Sequence, residues 1–140
     1  MIVDSSALVA IILGETERAE FLRVMRTHDT RVAAPGYVET AIVVDSRMDP
    51  EARHQLDSLL RATDTGVVAF TAEHAQVARA AYRTYGKGSG SKARLNFGDC
   101  LAYAVATVAD EPLLFKGTDF GHTDVRDARV TDGDDATPPR

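Results

Sequence analysis

The chain contains one cysteine, Cys100, so no internal disulfide can form. It has no basic N-terminal segment leading into an apolar stretch, and no uninterrupted apolar run close to the length that spans a bilayer. Secretion and membrane insertion are therefore not expected, and the expected location is the cytoplasm. No internal repeat and no break in composition marks a second domain. An excess of positive charge is missing as well. The net charge is −5, which at first argues against a nucleic-acid partner, because phosphate binding needs a positive field.

What is present suits one folded domain: 140 residues, 44% hydrophobic and 26% charged, enough to bury a real core. The distribution of charge matters more than its sum. Asp132, Asp134 and Asp135 fall in a polar stretch that ends Thr137-Pro138-Pro139-Arg140, so we expect a domain over residues 1–131 and a disordered acidic, proline-containing tail over 132–140. Arg83, Lys87, Lys92 and Arg94 share a segment without a single acid, a local basic patch on an acidic protein.

Hydrophobic spacing predicts alternating strands and helices. Ile2-Val3 reads as a short strand, and Ala7, Leu8, Ile11 and Ile12 then recur at helical spacing as far as Gly14. A second helix is predicted over 15–28, a strand over 31–34 stopped by Pro35-Gly36, and a helix carrying Tyr37 and Glu39 toward Met48. Asp49-Pro50-Glu51 starts another helix, 66–70 reads as a third strand, and Thr71 with Glu73 opens a helix through Tyr82. A glycine-rich loop over 86–91 is expected to be flexible. Asn96-Phe97-Gly98-Asp99 leads into an almost wholly apolar, and hence buried, helix, followed by a fourth strand over 113–115. The pattern predicts an α/β fold with a parallel sheet, helices on both faces and a ligand site at the carboxyl edge of the strands.

Four carboxylates can reach that edge. Asp4 follows the first strand, Asp119 follows the fourth, Asp99 opens the buried helix, and Glu39 lies in the first turns of the helix after the second strand. Clustered carboxylates repel one another and lose hydration, so such a set needs a cation, and oxygen-only donors suit Mg²⁺ or Mn²⁺. Such a site can activate water and orient it toward a phosphodiester. Taken singly, each acid has an ordinary explanation. Asp4 and Asp99 could be helix N-caps, with Ser5 or Ser6 able to cap in place of Asp4, and Glu39 could be a solvated helical acid. The apolar neighbours Tyr37, Val38, Ala41 and Ile42 make Glu39 unlike an ordinary exposed acid, and the set as a whole favours a metal site. The basic loop could contact RNA or be solvated surface. Cys100 is expected in the core, and His122 offers little as a catalytic group.

These residues resemble a PIN-domain ribonuclease, specifically a VapC-type toxin of a bacterial toxin–antitoxin pair. The resemblance rests on Met1-Ile2-Val3-Asp4-Ser5-Ser6-Ala7-Leu8, on Tyr37-Val38-Glu39-Thr40-Ala41, on the segment from Ala93 to Ala104 containing Asn96-Phe97-Gly98-Asp99, and on Pro112-Leu113-Leu114-Phe115-Lys116-Gly117-Thr118-Asp119-Phe120. It implies a three-layer α/β/α fold with a central parallel sheet of four to five strands. It also implies an endoribonuclease that uses Mg²⁺, for which Mn²⁺ can substitute. A small VapB-type antitoxin would silence it by placing its C-terminal segment in the active-site groove, and the toxin would pair as a homodimer. Asp4, Glu39 and Asp99 match the family's core acids and metal ligands, and Ser6 its hydroxyl position beside the first acid. Ser6, Lys87, Lys92 and Arg94 are the expected substrate contacts. One position departs: many relatives place the fourth acid where Gly117 stands here, so Asp119 is expected to take that role through a metal-bound water. The alternatives are a receiver-like signalling domain, which Lys116 would fit but which lacks a phosphoacceptor Asp after the middle strand, and a catalytically silent PIN-fold binding protein. A haloacid-dehalogenase-type phosphatase would need a second Asp where Ser6 stands.

Overall fold

The computed structural model describes residues 1–47 and 49–130, so the expected tail over 132–140 lies outside the described residues. The chain runs β1 (Ile2–Val3), α1 (Ser5–Ile12), α2 (Arg18–Arg26), β2 (Arg31–Ala33), α3 (Ala34–Asp45), α4 (Pro50–Ala62), β3 (Gly66–Val68), α5 (Ala72–Tyr85), α6 (Phe97–Ala109) and β4 (Leu113–Leu114), and then a 3₁₀ turn at Asp119–His122. The four strands are all parallel, in the order β3-β2-β1-β4.

Alternation along the strands sorts the core into two layers. Ile2 pairs with Leu113 and Val3 with Leu114, so side chains of like facing sit beside one another. Ile2 and Leu113 enter a cluster with Ala78, Ala81, Leu95, Cys100 and Val105, the α5–α6 side. Val3, Val32 and Leu114 enter a second cluster with Leu8, Phe21, Val24 and Leu56, the side of α1, α2 and α4. This is the expected three-layer α/β/α arrangement. The apolar helix α6 is buried along Ala102–Ala106, which matches its lack of a polar face, and Cys100 is in the core.

Several boundaries differ from those expected. Strand β2 stops at Ala33 because Pro35 and Gly36 lie in the first turn of α3, where proline's missing N–H costs nothing. Helix α2 begins at Arg18, three residues late, after Gly14 turns the chain at φ +67°. Strand β3 ends at Val68, an edge strand whose Val67 is exposed. Helix α5 is capped by Thr71 with buried His74, not Glu73, closing the capping box: His74 Nδ1 accepts the Thr71 N–H at 2.9 Å.

The strand order positions the site. From β1 the chain moves to β2 and β3 on one side, then returns to β4 on the other, which opens a crevice beyond the carboxyl end of β1. Asp4 is the first residue past that end.

Candidate active site

Asp4 is 5% exposed and caps α1 itself, so neither Ser5 nor Ser6 takes the cap. The Ser6 N–H and Ser6 hydroxyl both donate to Asp4 Oδ2, at 3.1 and 2.5 Å. That leaves Oδ1 without a protein donor among the described residues. Ser6 Oγ in turn accepts the backbone N–H of Lys116 at 3.0 Å, tying the end of β1 to the end of β4. The Asp4 carboxyl is pushed up to about 6, chiefly because burial removes its hydration and further because Asp99 and Glu39 add negative charge; the two Ser6 hydrogen bonds oppose the rise.

Asp99 sits at the third position of α6, in a reciprocal capping box with Asn96. The Asn96 N–H donates to Asp99 Oδ2 and the Asp99 N–H to Asn96 Oδ1, both at 2.9 Å. Again one carboxylate oxygen is committed to orientation and the other is left without a protein donor among the described residues. Desolvation raises the Asp99 pKa, Asp119 and Glu39 raise it further by repulsion, and the Asn96 hydrogen bond and the Lys87 ammonium lower it.

Glu39 reaches the crevice from α3, where the Ser5 hydroxyl donates to its Oε1. Its Oε2 lies over the α-carbon of Gly98, so close that any β-carbon there would collide with it. Ser5 and Gly98 thus join the site residues expected from the sequence. The available signal was a glycine in the first turn of an otherwise apolar helix, a conformationally costly choice that suggests close approach. The expectation that apolar neighbours would enclose Glu39 does not hold. Glu39, Val38 and Ile42 are all exposed, and they form one wall of a groove of about 410 Å³ that also contains Asp4, Ser5, Phe97 and Gly98.

Asp119 opens the 3₁₀ turn, exposed at the rim, where its charge reaches Asp99. Gly117 adopts φ +94°, a left-handed bend that glycine takes without strain. The four acids thus share one electrostatic neighbourhood. Among the described residues, no three Asp, Glu, His or Cys side chains are gathered closely enough to hold a metal ion by themselves.

The basic residues divide. The backbone of Lys87 is held at the base of the glycine-rich loop: its N–H donates to the Leu95 carbonyl at 3.0 Å and the Leu95 N–H to that of Tyr85 at 2.9 Å, while its side chain is exposed. Among the described residues its ammonium is the cation whose field lowers the Asp99 pKa. Lys92 and Arg94 are exposed and line neither the acid groove nor the larger cavity next to it. Lys116 pairs with Glu15 and, at 3.5 Å, with Glu17, so its ammonium is turned away from the role a receiver domain would give it.

A family model described as PIN domain matches residues 1–126. The chain is 46% identical over 129 residues to ribonuclease VapC28 of Mycobacterium tuberculosis, an alignment covering 91% of this chain and 97% of the relative. It is 48% identical over 130 residues to ribonuclease VapC42 of the same species, covering 91% and 98%. Among solved structures, Mycobacterium tuberculosis VapC20, described as a Sarcin-Ricin loop cleaving toxin, superposes with a TM-score of 0.69 at 16% identity, over 89% of this chain and 95% of that one. A toxin–antitoxin complex from Klebsiella pneumoniae gives a TM-score of 0.63 at 16% identity, over 85% and 88%. At that identity the two structures speak for the fold alone. The family match over nearly the whole described chain, together with acids gathered where the family's motifs lie, places the chain in the PIN-domain family, among the VapC ribonucleases.

Proposed function

We propose that this chain is an endoribonuclease toxin that hydrolyses RNA phosphodiester bonds at the acid crevice and is silenced by a small VapB-type antitoxin. The observation that carries the reading is Asp4: a buried carboxyl fixed at the switch point of the sheet and raised to about 6 with Glu39 and Asp99 beside it. An arrangement this unfavourable for an isolated protein is what a cation-binding site requires.

The donor set supports a hard divalent ion. All four candidates are carboxylates, and the Lys87 ammonium tempers Asp99. Asp4 and Asp99 through their uncommitted Oδ1 atoms, together with Glu39, would hold Mg²⁺ or Mn²⁺. A closed protein cage is not needed, since Mg²⁺ is usually bound through one or two carboxylates and keeps several waters. When bound, the ion lowers the pKa of a coordinated water and offsets charge at the cleaved phosphate.

The chain's own residues supply orientation. Ser6 locks the Asp4 carboxylate from two donors and Asn96 locks that of Asp99, so neither must be ordered when substrate arrives. Ser5 restrains Glu39. Asp119, at the rim, orients water without direct ligation, and Lys87 draws RNA phosphate toward the crevice. The antitoxin would cover the same crevice, where exposed Val38 and Ile42 border Glu39. No helix among the described residues is long and apolar enough to cross a membrane, and the proposed assembly is a cytoplasmic homodimer.

The test is incubation of purified, antitoxin-free protein with total RNA and Mg²⁺, with the cut ends mapped by sequencing. EDTA should abolish cutting and Mn²⁺ restore it, and Asp99→Asn should be folded, inactive and without the rise in melting temperature that Mg²⁺ gives wild type. Full cleavage in EDTA, or by Asp99→Asn, overturns the reading. No cutting by wild type under any metal would leave a silent binding protein.

A further inference from the structure

Beside the acid groove lies a second, larger cavity of about 760 Å³, within the range of sites for small organic ligands. Helix α5 builds one wall with Ala75, Ala78, Arg79 and Tyr82, which fall on one helical face at positions i, i+3, i+4 and i+7. The two alanines make the hollow, while Arg79 and Tyr82 border it. Lys87 and Asn96 line it too, and Phe97 lines both this cavity and the acid groove. Phe97 is 77% exposed at the first position of α6, two residues before Asp99, and Tyr82 is 47% exposed. Neither Arg79 nor Lys87 forms a salt bridge among the described residues. The cavity is mostly apolar, Phe70, Cys100 and Leu101 joining the aromatic faces of Tyr82 and Phe97, with the two uncommitted cations at its border, directly next to a crevice whose own charge is negative.

We propose that this cavity is a nucleobase subsite: an unpaired base flanking the cleaved phosphate leaves its strand and stacks on Phe97 and Tyr82, while Arg79 and Lys87 hold the adjoining phosphate. The inference deepens the RNA-cleavage reading and rests on it. Stacking on exposed aromatics beside cations is how single-stranded nucleic acid is gripped, because every base has a π-face and every link a charge. A purely apolar protein partner would have no use for the two cations. A duplex end, with its bases stacked and paired, could not enter. The subsite thus selects single-stranded or looped RNA and determines which nucleotides next to the cut are favoured.

The test uses short single-stranded oligoribonucleotides, each with 2-aminopurine at one position, titrated into the Asp99→Asn protein, whose failure to cut keeps the probe intact. Wild-type cleavage of total RNA runs in parallel. Phe97→Ala should weaken binding by roughly 10-fold or more and abolish the fluorescence change at one flanking position. Phe97→Tyr should restore both. Phe97→Leu should restore neither, because it keeps apolar bulk but has no π-face. Because Phe97 is exposed, these variants leave the core intact. Arg79→Ala should weaken all oligoribonucleotides alike and reduce the salt slope by about one. If wild type cuts RNA while Phe97→Ala binds every probe and cuts every site as wild type does, the subsite is refuted and the cleavage reading stands. If Phe97→Leu matches wild type, or Phe97→Ala changes only oligomeric mass or antitoxin binding, the face is an apolar protein contact. If wild type cuts no RNA, both readings fall.

Discussion

Asp4→Asn should make the metal-free protein more stable while destroying its activity. The Asp4 carboxyl is raised from 3.8 in an unfolded chain to about 6 in the folded one. Between roughly pH 4 and 6 the folded state therefore binds the proton more tightly than the unfolded state, so wild-type stability falls as pH rises through that window and levels off above it. At neutral pH the ionised native carboxylate costs about 3 kcal/mol, at 1.36 kcal/mol per pKa unit. Asparagine does not titrate, and its carbonyl can still accept both Ser6 donors. The variant should thus match wild type near pH 4 and exceed it above pH 6 by up to about 3 kcal/mol, or roughly 10 °C in melting temperature. The assay is urea and thermal unfolding in EDTA at several pH values, repeated in Mg²⁺. In Mg²⁺ the gap should close, because the ion stabilises wild type only. If Asp4→Asn is less stable than wild type at pH 7.5 in EDTA, or the difference does not change with pH, the electrostatic account of this site is wrong.

Gly98→Ala places a β-carbon against Glu39 Oε2. Since the obstacle is the mobile end of a side chain, melting should move by only a few degrees while the turnover number falls at least about 10-fold, by analogy with other displaced orienting groups; unchanged turnover would show that Glu39 need not occupy its present position. Asp119→Ala should lose about 10- to 100-fold in rate, far less than Asp4→Ala or Asp99→Ala, and wild-type cleavage would show that three acids suffice. Moving the acid back with Gly117→Asp has open space but must accept φ +94°, at a cost of roughly 1–3 kcal/mol, so rescue of Asp119→Ala should be partial and accompanied by a lower melting temperature. Lys87→Ala should weaken RNA binding and reduce its salt dependence more than Lys92→Ala does, because the Lys87 ammonium acts on Asp99 and lines the cavity beside the acid groove, whereas Lys92 lines neither; equal effects would return both residues to undirected surface charge.

The resemblance of the motifs to a known family carried the sequence reading furthest, and the structure refines it where contacts are close. The role of Asp4 as a helix cap and its role as a candidate ligand first looked like competing explanations. In the folded chain they are the same arrangement, since the Ser6 donors that satisfy one oxygen leave the other to the crevice. The same holds for Asp99 and Asn96. The apolar neighbours of Glu39 predict an enclosed side chain. Apolar residues do not reveal which face of a helix is buried when they lie on all sides of it, and α3 in fact turns Val38 and Ile42 outward. The glycines of 86–91 predict a flexible loop, and only the folded chain shows that a backbone bridge to Leu95 fixes its base.

The order of strands and helices, the apolar α6 and the capping signals were determined by the sequence alone, because each depends on residues within about a turn of one another. Only the tertiary structure decided that β4 lies beside β1, opposite β2, and so which carboxylates share a crevice. The same folding brought Ser5 to Glu39, Glu39 over Gly98 and Ser6 to Lys116, pairs separated by 34, 59 and 110 positions. Local periodicity carries no information about such pairs, since their approach depends on how two helical layers pack across the sheet. The rise of Asp4 to about 6 is likewise a property of the assembled site: burial and two neighbouring charges produce it, and neither exists until the layers close.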